Sequence, residues 1–205
     1  NGGIQSKTAS DAKNNVFAKS IVGPFKKLPD FFRPVYDQSK GVTPTSELRF
    51  YRTTKRGKKS LEDLGKPELE SQIDWKSSEK YGYDGTKLHR YLGDEVGKTM
   101  EVDVWERHNV VRFCAELDGD YIGKLLYTTT VEEMESGGES FKKLWDNSNQ
   151  ESRNVHGRTP SGLFRFFTPS YKTLYFDKYG HADEKRAKDY YLAERANLIN
   201  DDRAL

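Results

Sequence analysis

Two adjacent carboxylates, Asp94 and Glu95, stand in "KLHRYLGDEVGKT", residues 87 to 99, a stretch that carries two mutually exclusive phosphate-site patterns. Its right end, Gly93 to Thr99, has the Gly-Lys-Thr terminus of a phosphate-cradling loop. Such a loop requires GxxxxGKT or GxxxxGKS, so that successive backbone N–H groups wrap one phosphate. Here Gly93 and Gly97 are separated by three residues, one too few. Two of the three are carboxylates, which would repel the phosphates they faced. The residues leading in include His89 and Arg90, where an apolar strand normally precedes such a loop. Lys98 is therefore not a phosphate-loop lysine, and the chain has no such loop elsewhere.

The left end reads differently. Leu88, Tyr91 and Leu92 suggest a strand that delivers Asp94 and Glu95 at its end. Nucleotide hydrolysis uses this pair: the Asp holds a hydrated magnesium ion, and the neighbouring Glu polarises the attacking water. The same pair also occurs in plain solvated turns. About thirty residues on, after one helical segment, "YIGKLLYTTT" reads as an apolar strand ending in Thr128, Thr129 and Thr130. In ATPases of this layout, the strand beside the carboxylate strand ends in a polar residue that senses the terminal phosphate. The alternative is that these threonines cap a helix beginning near Val131, as Thr130 is placed to do.

The elements that must position these groups can be read outward from them. "GGIQSK" predicts a short strand. "TASDAKNNVFAKSIVG" predicts a helix capped by Ser or Thr, with Ala12, Val16, Phe17 and Ile21 on one face, ended by Gly23-Pro24. Residues 24 to 46 hold four of the seven prolines and predict an irregular, aromatic-rich excursion. "SELRFYRTT" and "SQIDWKSS" alternate as half-buried strands. "YDGTK" is turn chemistry, which predicts that the second of these forms a hairpin-like pair with "KLHRYL". In "VDVWERHNVVRFCAELDG", Asp103 can cap a helix carrying Val104, Val111, Cys114 and Leu117 near one face. A helix over "VEEMESGGESFKKLWDN", a strand over "SGLFRFFTP" and a charged helix beginning near Asp183 complete the chain. Strands alternating with helices predict an α/β fold with a largely parallel sheet flanked by helices.

Composition narrows the classes. The 205 residues suffice for one ordinary domain, with or without a linker. Hydrophobic residues make up 34% and charged residues 32%, and mean hydropathy is -0.90. No apolar run reaches the roughly 18 residues of a membrane span, while 11 Phe, 12 Tyr and 3 Trp can build a core. The N-terminus lacks signal-peptide character. Cys114, the one cysteine, permits no internal disulfide and reads as a small buried group in a helix. His89, His108, His156 and His181 are scattered and give no zinc spacing. Ser161 lies outside any nucleophile-elbow frame. The net charge of +2 hides a local run, "RTTKRGKKS", in which Arg52, Lys55, Arg56, Lys58 and Lys59 are unopposed by any acid. It reads as a solvated loop or as a contact for nucleic-acid or nucleotide phosphate.

The strings "GIQSKTASDAKNNVF", "LHRYLGDEVGKT", "LLYTTTVEEMESGGESFKKLWDNS" and "YFDKYGHADEKRAKDYYLAERANL" resemble, in order and over nearly the whole chain, the large subunit of phage terminase. The likeness is greatest to tailed phages of Bacteroidetes hosts. The resemblance implies a P-loop ATPase domain of the additional-strand, catalytic-glutamate class. Asp94 then matches the magnesium carboxylate, Glu95 the catalytic glutamate, and Thr128 and Thr129 the motif coupling hydrolysis to DNA movement. It implies ATP and Mg2+ as cofactors, and double-stranded DNA, a portal and a small terminase subunit as partners. A homo-oligomer working in the host cytoplasm during phage assembly is implied as well, with no membrane involved.

The family's phosphate loop lies upstream of the strand matching "GGIQSK", and its nuclease domain lies beyond the final helix. The resemblance thus implies an internal portion of a larger protein. Residues 1–175 would form a partial ATPase domain, with 24–86 as an irregular or β insertion, and 176–205 a helical linker. Two other functions fit the residues. One is a nucleic-acid-binding or structural phage module, with Phe50, Tyr51 and Trp75 stacking beside the basic run. The other is a nuclease holding metal with Asp94, Glu95, Asp103 or Asp118.

Overall fold

Short strands forming one sheet, with helices on both faces, give residues 1–163 their architecture. The computed structural model describes residues 1–39, 41–50, 69, 71–130, 138–169 and 171–197. Two units are distinguished, Asn1–Leu163 and Phe164–Leu205. The first contains a five-stranded sheet built from β1 (Gly2–Gln5), β2 (Glu47–Arg49), β3 (Gln72–Trp75), β4 (Arg90–Gly93) and β7 (Lys124–Tyr127). The order is β2-β3-β1-β4-β7. β1 runs parallel to both β3 and β4, β4 runs parallel to β7, and β2 alone is antiparallel, against β3. A two-stranded ribbon, β5 (Glu116–Leu117) and β6 (Asp120–Tyr121), lies between α2 (Val104–Cys114) and β7. The class is α/β, with a mainly parallel mixed sheet flanked by helices.

Successive strand side chains point to opposite faces, and each face has its own core. On one face Ile4 and Leu48 pack with Val16, Phe17, Val22 and Phe25. Burying Phe17 completely contributes about 2–3 kcal/mol. On the other face Tyr91 packs with Tyr83, Leu88, Val111 and Cys114. Gly3 faces the same side, where an added Cβ would meet the Tyr83 ring at 2.7 Å, so this strand admits nothing larger. A third cluster, Val96, Val104 and Leu144, ties α2 to α3 (Gly138–Asp146). Buried Cys114 donates its S–H to the Tyr83 carbonyl at 3.0 Å.

The helix over Asp11–Val22 forms where the periodicity places it, but its backbone is wound wide, with Gly23 N–H donating five residues back to Ala18 O. Thr8 rather than Ser10 caps its start, accepting from Asp11 N–H at 3.1 Å. Gly23-Pro24 does not end it: the chain continues into α1 (Gly23–Lys27). Pro24 stands at the second position of α1, directly after the wide-wound segment. The helix stops instead at Leu28, extended ahead of Pro29.

The hairpin expected of residues 71–92 does not form, because β1 lies between β3 and β4 and all three are parallel. The turn residues 80–85 belong to a longer connection. In it the Tyr83 hydroxyl donates to Asp74 Oδ1 (2.8 Å) and accepts from Ile4 N–H (2.8 Å). Asp103 caps α2 through Glu106 N–H at 3.0 Å, as its spacing predicts. His108 and Arg107 are wholly buried on α2, and no guanidinium nitrogen of Arg107 has a hydrogen-bond partner among the described residues.

The strand expected over "SGLFRFFTP" is also absent. Residues 161–169 form no strand, and the alternation there reflects exposed rings such as Phe166 rather than a half-buried sheet position. Among the described residues of the second unit are α4 (Tyr171–Leu174) and α5 (Glu184–Asn197), with a Phe176–Ala182 bridge between them. Asp183 caps α5 by accepting from Arg186 N–H at 3.0 Å. The Arg186 guanidinium lies over the Tyr175 ring at 4.2 Å.

Candidate functional site

Three parallel strands end at one edge in register. Gln5 pairs with Gly93, and Gly93 with Tyr127, so the next residues, Ser6, Asp94 and Thr128, leave the sheet side by side. Backbone bonds continue the ladder by one step: Asp94 N–H donates to Gln5 O and Thr128 N–H to Gly93 O, both at 2.9 Å. Thr128 Oγ1–H then donates to Asp94 Oδ1 at 2.9 Å, and Ser6 Oγ–H to Asp94 Oδ2 at 3.2 Å. Each oxygen of the half-buried carboxylate is thus oriented by a hydroxyl from a flanking strand.

Glu95 turns the chain away from the sheet. Its φ of 49° is the left-handed region that a side chain rarely adopts. The turn is held because Val96 N–H donates to Thr128 O (3.2 Å) and Gly97 N–H to Thr129 Oγ1 (3.1 Å). A Cβ on Gly97 would come within 2.8 Å of that hydroxyl oxygen, so glycine is required. Thr129 in turn donates to Thr130 O at 3.0 Å. The helix start that Thr130 could cap lies outside the described residues.

The Glu95 carboxylate is bracketed by two ammonium groups. Lys7 Nζ is 2.5 Å from Oε2 and Lys98 Nζ 3.5 Å from Oε1. The hydrogen bond and charge of Lys7 hold this carboxyl below the usual carboxylate range. The Gly-Lys-Thr stretch is a single 3-10 turn, Val96–Lys98. Its N–H groups are already used: besides those of Val96 and Gly97, Lys98 N–H donates to Glu95 O and Thr99 N–H to Val96 O. No run of free N–H groups remains there for a phosphate.

A polar network under the edge fixes β1. Tyr91 O–H donates to Gln5 Oε1 at 2.8 Å, and Gln5 Nε2 donates to the Ser77 and Glu79 carbonyls. Burial pushes the Tyr91 phenol up to about 12, so it stays a donor. Beside it, Tyr127 O–H lies 2.9 Å from His108 Nδ1, while His108 Nε2 lies 2.8 Å from Ser161 O. The carbonyl can only accept, so Nε2 carries the proton and Nδ1 accepts from Tyr127. Burial lowers the His108 pKa to about 4, keeping the ring neutral.

Asp94, Glu95, Thr128 and Thr129 are therefore brought together. Ser6 and Lys7 join them, and their signal in the sequence is their position directly after a strand. Other expected groups lie apart. Asp103 is spent as a helix cap, and Asp118, at φ 52°, shapes the β5–β6 turn. Among the described residues no three His, Cys, Asp or Glu converge to hold a metal. Phe50 packs edge-on to Phe25 at 5.5 Å, and Trp75 packs against the core with its N–H given to Thr45 O. Both rings are half-buried and engaged in packing. Arg52, Lys55, Arg56, Lys58, Lys59 and Tyr51 lie outside the described residues. No helix among the described residues is long and apolar enough to cross a membrane.

The fold and site define an α/β protein with paired carboxylates at a parallel strand end, one of them tied to the neighbouring strand. Comparison of the chain with protein-family models, with curated proteins and with solved structures finds no match.

Proposed function

We propose that this chain is a portion of the large subunit of a tailed-phage terminase, the ATP-hydrolysing motor that packages double-stranded DNA. The observation that carries the reading is the hydrogen bond from Thr128 to Asp94 across adjacent parallel strands, with Glu95 next in the chain. That is the arrangement a P-loop ATPase of the additional-strand, catalytic-glutamate class needs, and the ordered resemblance of four segments to terminases supports the same assignment.

Magnesium commonly keeps several waters and takes one or two carboxylates together with substrate phosphates. An Asp94 carboxylate flanked by the Ser6 and Thr128 hydroxyls offers hard oxygen donors and fits such an ion. When bound, Mg2+ would neutralise charge on the ATP phosphates, held through its waters by Asp94. In this reading Glu95 polarises the attacking water. Thr128 and Thr129 link that carboxylate pair to the β7 strand end, and so could report hydrolysis to a DNA-gripping element. A portal, a small terminase subunit and further copies of the motor are the partners this reading entails, with assembly in the host cytoplasm.

The test uses the longer polypeptide in which this chain is joined to a phosphate loop. Asp94→Asn should weaken the Mg2+ dependence of ATP binding and reduce turnover by at least 100-fold, on the order of 3 kcal/mol. Unchanged metal dependence would remove Asp94 from the site. The alternative, a phage nucleic-acid-binding or structural module without ATPase chemistry, predicts no nucleotide turnover at all.

A further inference from the structure

Four aromatic side chains lie within residues 25 to 36, and their placement divides them into two pairs. Phe25 is buried in the core, and Tyr36 packs edge-on against it with ring centroids 5.2 Å apart. These two close the base of a loop. Its apex carries Phe31 and Phe32, which are 79% and 69% exposed. Their rings lie together at 4.3 Å, and that exposure leaves their other faces to solvent. The apex is braced. Phe32 N–H donates to Pro29 O at 3.0 Å, and Arg33 N–H reaches the Pro29 and Asp30 carbonyls. The Arg33 guanidinium ties the turn back to α1, donating to Lys26 O at 3.1 Å and to Asp30 Oδ1 at 3.0 Å. Pro29 and Pro34 fix φ on either side. Paired exposed rings on a fixed turn mark a contact surface, as a single exposed ring does not.

The charge around the rings selects the partner. Lys26, Lys27 and Arg33 stand against one acid, Asp30, which Arg33 already pairs. Both lysines are exposed. A cleft of about 370 Å3 is lined by Lys26, Arg33, Pro34, Val35, Tyr36 and Val42 among others, so cations and apolar walls meet there. We propose that this loop binds single-stranded nucleic acid, its bases stacking on Phe31 and Phe32 and its phosphates meeting Lys26 and Lys27. An unpaired strand offers every base face to a ring and one charge per nucleotide to the ammonium groups. In a duplex the base faces are covered by their neighbours, so the rings favour the unpaired strand. An apolar protein partner would use the rings and leave the cations unmatched. The inference goes beyond the motor reading and does not depend on ATP hydrolysis.

The 205-residue chain is titrated by fluorescence anisotropy against labelled oligodeoxythymidine, oligouridine and a DNA duplex of the same length. Both single strands should bind alike and more tightly than the duplex. Phe31→Ala/Phe32→Ala should weaken single-strand binding about tenfold or more, with duplex binding changed less than about twofold. Phe31→Tyr/Phe32→Tyr keeps both rings and should keep the parent affinity. Lys27→Ala should weaken both forms and lower the single-strand salt slope by about 0.7. Because both rings are exposed, the alanine pair should unfold at the parent temperature, which separates lost binding from lost folding. Single-strand binding that survives the alanine pair, or falls equally with the duplex, would overturn the proposal. So would a chain that self-associates in sedimentation and becomes monomeric in the alanine pair, since the rings would then belong to a contact with a second copy.

Discussion

Thr128 and Asp94, 34 residues apart in the chain, are joined by a 2.9 Å hydrogen bond between the ends of two parallel strands. The intervening segment holds one helix, α2, capped by Asp103 and buried through Val104, His108 and Val111. A helix-containing crossover is the usual way to bring two parallel strands together. The bond therefore follows from the order strand, carboxylates, helix, strand, hydroxyls.

That bond gives a graded prediction. Thr128→Val keeps the shape and removes the donor to Asp94, a charge-assisted bond worth about 1.5 kcal/mol, or tenfold in rate. Turnover of the longer polypeptide should fall about tenfold, and Thr128→Ser should recover most of it. Equal activity in the valine and parent proteins would separate Thr128 from the chemistry.

The carboxylate pair and its threonines were legible because they rest on local patterns and one crossover. The contributions of Ser6 and Lys7 were not. Their place depends on β1 lying between β3 and β4, a non-local parallel pairing with no turn signature of its own. The local Tyr83-Asp84-Gly85 chemistry pointed instead to a hairpin. The left-handed backbone of Glu95 was equally hidden, since bonds from Val96 and Gly97 to a strand thirty residues away impose it. In "SGLFRFFTP" the aromatic alternation mimics a strand, but the segment takes no strand conformation.

His108 makes stability depend on pH. Its folded pKa of about 4 lies below the model-peptide value of 6.5, so between these values the unfolded chain binds more protons. Its contribution is complete above pH 6.5 and is lost as pH falls toward 4, about 3 kcal/mol in all. Urea midpoints measured across that window should decline toward acid, and His108→Leu should flatten the part of the slope due to this ring. An unchanged slope would mean that the imidazole is not buried neutral.

Arg107 predicts a stabilising substitution. A buried guanidinium cannot shed its proton, and its three nitrogens lack acceptors among the described residues. Arg107→Met, similar in length and uncharged, should raise stability by about 1–3 kcal/mol in thermal or denaturant unfolding. Destabilisation would reveal an anionic partner.

The central claim is that Glu95 polarises the water that attacks ATP. Turnover and nucleotide binding of the longer polypeptide, measured together for the parent and Glu95→Gln, test it most directly. The amide preserves size and hydrogen bonding but removes the charge. Mg-ATP affinity should stay within about twofold, well under 1 kcal/mol, while hydrolysis and DNA translocation disappear. Near-normal phosphate release by Glu95→Gln would contradict the account and assign the base to another residue.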